Sequence, residues 1–166
     1  MPFTMERYAR TLENALISNT DLLTENLRTI KSFNFFKEID LLDFGIHIQL
    51  SEFSIMMYSM EKDANEVFYE GNDESIFSGS YEALEEIEFM RVPDEDLDEF
   101  DTFVEENDDD IYNLQEKLIV EWFVSCWNKA VGHLVELPAF VGIEDGIKSY
   151  DLQKDGWILS EDKWED

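Results

Sequence analysis

Asp94, Asp96, Asp98 and Glu105 stand at positions 1, 3, 5 and 12 of a calcium-loop pattern. Such a loop wraps carboxylate oxygens around the ion through a sharp turn. The match breaks where that turn is strictest: position 6 calls for Gly and the chain has Glu99, and Asp101 occupies position 8, usually apolar. A dense acidic run meets such spacing by composition alone, so no metal site is expected. Paired carboxylates can also do general acid–base work, but only in a cleft that separates their pKa values. A long acidic run in solvent is the opposite arrangement. His47 and His133 are the only histidines and Cys126 the only thiol, with no zinc-ligand spacing between them. Cys126 lies in an apolar helical run and reads as a small core residue. Trp122, Phe123 and Trp127 fall at helical spacing and read as core before ligand platform. Phosphate-binding glycine motifs are absent. No catalytic residue and no cofactor are expected.

Association is the chemistry that remains. Between Glu82 and Asp110 the chain carries fifteen acids and one base, Arg91, a net of −14 against −28 for the whole protein. The candidate partner-binding residues are Glu85 and Glu86, then Asp94, Glu95, Asp96, Asp98, Glu99, Asp101, Glu105, Glu106, Asp108 and Asp109. A docking face needs apolar anchors inside a charged rim, because charge supplies on-rate and specificity more than affinity. Leu97, Phe100 and Val104 form a helical stripe, and Phe103 falls outside it. Phe103 is therefore the expected exposed anchor. The bland alternative is a solvated acidic surface that only keeps the protein in solution.

Composition sets the frame. The chain has 166 residues, 12 basic and 40 acidic. Nucleic-acid binding by counterion release needs clustered Lys and Arg, so direct nucleic-acid contact is disfavoured, as is an anionic membrane surface. High charge alone would suggest disorder. Leu, Ile, Val and Phe together nevertheless supply 50 of the 166 residues, well above the roughly 20% at which disorder becomes the default. The expectation is one folded acidic domain over 1–166. Self-repulsion should make its stability depend on salt. Thermal melts at about 10 mM and about 300 mM NaCl should show Tm rising by several degrees; a flat or falling Tm would contradict the repulsion.

The elements that must carry these residues follow from periodicity. Thr4 caps a first helix with Met5, Tyr8, Leu12, Ala15 and Leu16 on one face. Ser18 to Asp21 break it, and Leu22, Leu23, Leu27 and Ile30 continue as a second stripe. Ile46, Ile48 and Leu50 alternate with His47 and Gln49 as a strand, and 53–60 is a more apolar one. Val67 to Tyr69 read as a third strand, completing an antiparallel meander. Two short amphipathic helices flanking Pro93 fit the acidic segment, with a strand through Ile87 to Phe89 as the alternative. Asp110 to Ala130 is a long core helix, with Asp108 to Asp110 at its positive end and Gly132 ending it. Segments 138–143, 147–152 and 157–159 close the chain as strands around turns at Glu144 to Gly146 and Lys154 to Gly156. The fold expected is α+β: N-terminal helices and an antiparallel sheet, meander plus C-terminal hairpin, packed on a long core helix.

Glu121 to Trp127, then Leu137 to Phe140, Ser149 to Leu152 and Gly156 to Ile158, resemble small bacterial immunity proteins encoded beside polymorphic or contact-delivered toxins. The resemblance covers the C-terminal third and implies a cytosolic protein that binds one toxin domain tightly and blocks it, with no catalytic residues. Such a toxin domain, if it attacks nucleic acid, presents a basic cleft that carboxylates can fill. The N-terminal stretch has no apolar core of signal-peptide length and no apolar run is long enough to span a bilayer, which agrees with a cytoplasmic expectation. The alternatives are a nucleic-acid mimic acting on DNA-binding proteins and a regulatory or scaffold module.

Overall fold

The computed structural model describes residues 3–130 and 132–165. Thr4 caps α1 (Met5–Ser18), its hydroxyl accepting from the Arg7 N–H at 3.0 Å, which satisfies one of the donors every helix start leaves open. Tyr8, Leu12 and Leu16 are buried along one face. Asn19 separates α1 from α2 (Thr20–Ile30), which buries Leu23, Thr24, Leu27 and Ile30. Leu22, expected on that stripe, points to solvent.

The chain continues through β1 (Asn34–Phe35), β2 (Leu41–Ile48), β3 (Glu52–Met60), β4 (Ile76–Phe77) and β5 (Ser80–Glu88). A 3-10 turn at Asp94–Asp96 leads into α3 (Leu97–Lys129), followed by β6 (Ala139–Ile143), β7 (Lys148–Asp151), β8 (Gly156–Leu159) and a 3-10 turn at Ser160–Trp164. Six strands form one sheet in the order β5-β3-β2-β6-β7-β8, and β1 and β4 make a small parallel pair. The architecture is α+β, a mostly antiparallel sheet with the long helix packed against it.

Phe44 places its ring 4.9 Å from Phe123 and 5.7 Å from Trp127, so β2 and the last turns of α3 share one core. Side chains alternate along β2: Leu42, Phe44 and Ile46 face the helices, while Asp43, Gly45 and His47 lie on the outer face. The outer face has a polar centre. Lys163 in the last turn reaches back to Asp43 at 2.9 Å, both largely buried.

Four expectations on the fold are corrected. Val67 to Tyr69 are not a strand: Glu66 makes a single bridge with Met60, and the Tyr69 N–H is taken by the Ser78 hydroxyl at 2.8 Å. The strand that pairs with β3 is β5, inside the acidic segment, so no helix precedes Pro93, and the alternative of a strand through Ile87 and Glu88 holds with an earlier start at Ser80. Its glutamates suit an edge, where charge stays in solvent and discourages further pairing, while Ala83 and Leu84 are buried. The long helix starts at Leu97 rather than Asp110. Asn107 breaks it with non-helical angles (φ −130°, ψ 19°), its amide donating to the Phe103 carbonyl at 2.8 Å, so Asp108 to Asp110 open only its second segment. The helix ends at Lys129 with Ala130 as cap, not at Gly132. Gly132 serves packing: a Cβ there would lie 2.2 Å from the Trp127 indole.

The C-terminal strands join the sheet through a parallel pair, β2 with β6, Leu42 opposite Ala139 through Ile46 opposite Ile143. Among the described residues no helix is long and apolar enough to cross a membrane.

Candidate functional site

Parallel strands end on the same side, and the carboxyl ends of β2 and β6 meet the kinked middle of α3 there. The junction is held by one buried amide. Gln115 donates from its side chain to the Tyr8 hydroxyl at 2.8 Å and to the Gln49 carbonyl at 3.1 Å, and Tyr8 in turn donates to the Leu50 carbonyl at 2.7 Å. Burial pushes the Tyr8 hydroxyl up to about 12, against the opposing effect of its bond with Gln115, so it stays protonated and donating. Helix α1, the β2–β3 turn and α3 are thus tied at one point.

Outside that point lies an open groove of about 600 Å³. Five carboxylates line it, from Glu52, Glu86, Asp108, Glu144 and Asp145, and His47 is the one basic side chain among the described lining residues. Glu52 is held above the ordinary carboxylate range, first by a hydrogen bond with Glu86, then by some desolvation and by the charges of Glu86 and Glu88. Two carboxyls set this close in solvent mark a place short of positive charge. On the rim, His47 Nδ1 lies 2.6 Å from Glu144 Oε2, and His47 Nε2 lies 3.0 Å from the Tyr58 hydroxyl. Burial raises Tyr58, helped by the charges of Glu144, Glu66 and Asp43. The Tyr58–His47–Glu144 chain thus fixes three side chains relative to one another on the rim.

The predicted partner-binding residues divide. Glu86 and Asp108 line the groove. Glu85 is exposed on β5; Asp94, Glu95, Asp98, Glu99, Asp101, Glu105, Glu106 and Asp109 are exposed along the 3-10 turn and α3, and Asp96 is half-buried. Phe103 is the clear miss: it is only 7% exposed, with its ring 6.2 Å from Phe3 and from Phe100 and 6.3 Å from Tyr8. In the segment before the kink at Asn107, Phe100 and Phe103, three residues apart, face the core, and Leu97, expected on the stripe, is exposed. From Leu97 onward the segment is helical, which strings Asp98 and Glu105 along a rod instead of folding them around an ion. No three His, Cys, Asp or Glu among the described residues are placed to hold a metal.

Sequence reasoning missed Glu52, Glu144, Asp145 and His47 as neighbours. Their meeting depends on the β2–β6 register, a parallel pairing between distant segments that leaves no local signal. It also missed the apolar companions of the groove. Tyr112, one turn beyond Asp108, brings its hydroxyl so close to Gly146 that a Cβ there would lie 3.0 Å away. Next to Gly146, Ile147 is 82% exposed, and Trp157 and Leu159 on β8 are 41% and 49% exposed. Lys148 links these groups, its ammonium 4.4 Å from the Trp157 ring and 3.4 Å from the buried Glu116 carboxylate.

The residues that carry the immunity-protein resemblance are mostly interior. Phe123, Cys126 and Trp127 are fully buried, and Trp122 donates its indole N–H to the Thr20 hydroxyl at 3.0 Å. Burial raises the Cys126 thiol, which suits a core residue and not a nucleophile. No family model, curated protein or solved structure matches the chain.

Proposed function

We propose that the chain is a non-catalytic acidic binding protein that neutralises a basic toxin domain by occupying its cationic surface, as an immunity protein acting in the cytoplasm. The supporting observation is the groove: five carboxylates without Lys or Arg among its described lining residues, together with exposed Tyr112 in that lining and further exposed apolar side chains at Ile147, Trp157 and Leu159 elsewhere on the surface. Charge to steer a partner and apolar groups to hold it are the combination that a stable interface uses. The toxin-directed role draws further on the resemblance of the C-terminal third.

Affinity purification of the full chain from its source cell should recover one basic protein in near-stoichiometric amount. Remixing the two purified proteins should abolish that protein's activity, with affinity falling as salt rises. Recovery of many DNA-binding proteins would replace this reading with the nucleic-acid mimic. A stoichiometric partner whose activity is unaffected would leave a scaffold.

A further inference from the structure

The sheet has two edges, and they are built differently. At one end, β5 carries Glu82, Glu85, Glu86 and Glu88, and its register with β3 shifts on both sides of Ile55. Charge and bulges are the usual means of keeping a second chain off an open edge. At the other end, β8 reads Gly156-Trp157-Ile158-Leu159 and carries no charge. Among the described residues no strand pairs with its far side.

The backbone of that edge is oriented to accept one. The Ser160 N–H donates to the Ile147 carbonyl at 2.7 Å, in step with the pairs Lys148–Leu159, Ser149–Ile158, Tyr150–Trp157 and Asp151–Gly156. Hydrogen-bonded and non-hydrogen-bonded pairs alternate along an antiparallel ladder. Gly156 and Ile158 therefore bond inward to β7, and Trp157 and Leu159 turn their N–H and C=O outward. The same two residues expose their side chains on the face that carries Lys148 and Tyr150. Among the described residues, free carboxylates at this end of the sheet are Asp145 in the groove lining and exposed Asp155 in the β7–β8 turn beside Lys154; Glu116 is buried and already paired with Lys148.

We propose that β8 is a docking edge on which a basic protein partner lays an extended segment as a seventh strand. Alternate side chains of that segment pack on Trp157 and Leu159, and its Lys or Arg residues face the surrounding carboxylates. Main-chain bonds supply affinity in such strand addition, and alternate side chains supply specificity. The inference rests on the reading of the partner as basic, which the net charge of −28 supports.

Two substitutions isolate the backbone contribution. Leu159 has φ −71° and ψ 141°, angles that proline adopts without strain. Leu159→Pro removes an outward N–H together with the Leu side chain and leaves the β7–β8 ladder intact, which an unchanged thermal melt would verify; Leu159→Ala removes the side chain and keeps the N–H, so the difference between the two reads the backbone bond. The probe is a blocked eight-residue peptide alternating Val and Lys, titrated to about 1 mM, beside a copy N-methylated at alternate residues and a Val/Glu counterpart. Binding of the Val/Lys peptide should slow hydrogen exchange at the Trp157 and Leu159 amides. Leu159→Pro and the N-methylated peptide should each weaken it by about tenfold, and Leu159→Ala by no more than about threefold. Unslowed exchange at both amides, or equal affinity for Leu159→Pro and the parent chain, would overturn strand addition while leaving a charge-driven partner in place. A Val/Glu peptide that binds as tightly as Val/Lys would instead remove the basic-partner reading.

Discussion

Phe103→Ala is expected to destabilise the protein by about 3–5 kcal/mol, the range for deleting a buried aromatic, and to lower Tm by roughly 10 °C in a chain of this size. Phe103 is nearly closed to solvent between Phe3, Phe100 and Tyr8. The cavity left behind would sit where α1 meets the first segment of α3. Tyr8 also bonds Leu50 and accepts from Gln115, so loosening its packing should reach the β2–β3 turn and the groove. Leu97→Ala, three-sevenths exposed on the same segment, is the contrasting control and should stay within about 0.5 kcal/mol of the parent. Melts followed by circular dichroism separate the two. A Tm for Phe103→Ala within about 2 °C of the parent would return Phe103 to the surface as a contact residue.

That contrast shows where sequence reasoning reached and where it stopped. The Thr4 cap, the α1–α2 break, the strands at β2, β3, β6, β7 and β8 and the core role of Phe123, Cys126 and Trp127 were legible because each is written in local spacing. The acidic segment misled because composition outweighed period. Ser80 to Glu88 is a strand whose glutamates lie outward at an edge, and edge strands need little apolar alternation. Phe103 misled for a different reason: Phe100 and Phe103, three residues apart, share the buried face, and the stripe drawn through Leu97 and Val104 sits slightly to one side of it. The groove could not be read at all, since Glu144 and Asp145 reach His47 and Glu52 only through the parallel register of β2 and β6. Of the acidic residues singled out, Glu86 and Asp108 line the groove, while Phe103, expected exposed beside them, is buried.

Reversing Glu86 and Asp108 to Lys is expected to weaken binding of a basic partner by about 100-fold, since like charges set against each other in an interface are worth several kcal/mol. Most of the loss should fall on the association rate, and the salt dependence should flatten with it. Reversing Asp94, Asp96, Asp98 and Asp101, which lie in the 3-10 turn and first segment of α3 outside the groove lining, changes more charge yet should cost less affinity, because exposed rim charges act chiefly through long-range steering. If the remote reversal proves the more damaging, the groove is not the centre of the interface. The pH dependence offers a second, independent check. Glu52 is held protonated above the ordinary carboxylate range by Glu86, so in the free protein the pair opposes folding as pH rises above that range and ceases to do so as pH falls through the raised value. A bound cation reverses the sign: it favours two ionised carboxylates and opposes protonation of either. Affinity should accordingly fall as pH drops from neutral toward about 4, with proton release on binding visible as buffer-dependent heat in calorimetry. Glu86→Gln should remove the Glu52 contribution to both. Binding that tightens on acidification, or a proton release unchanged by Glu86→Gln, would show that the partner does not seat its charge between these two carboxylates.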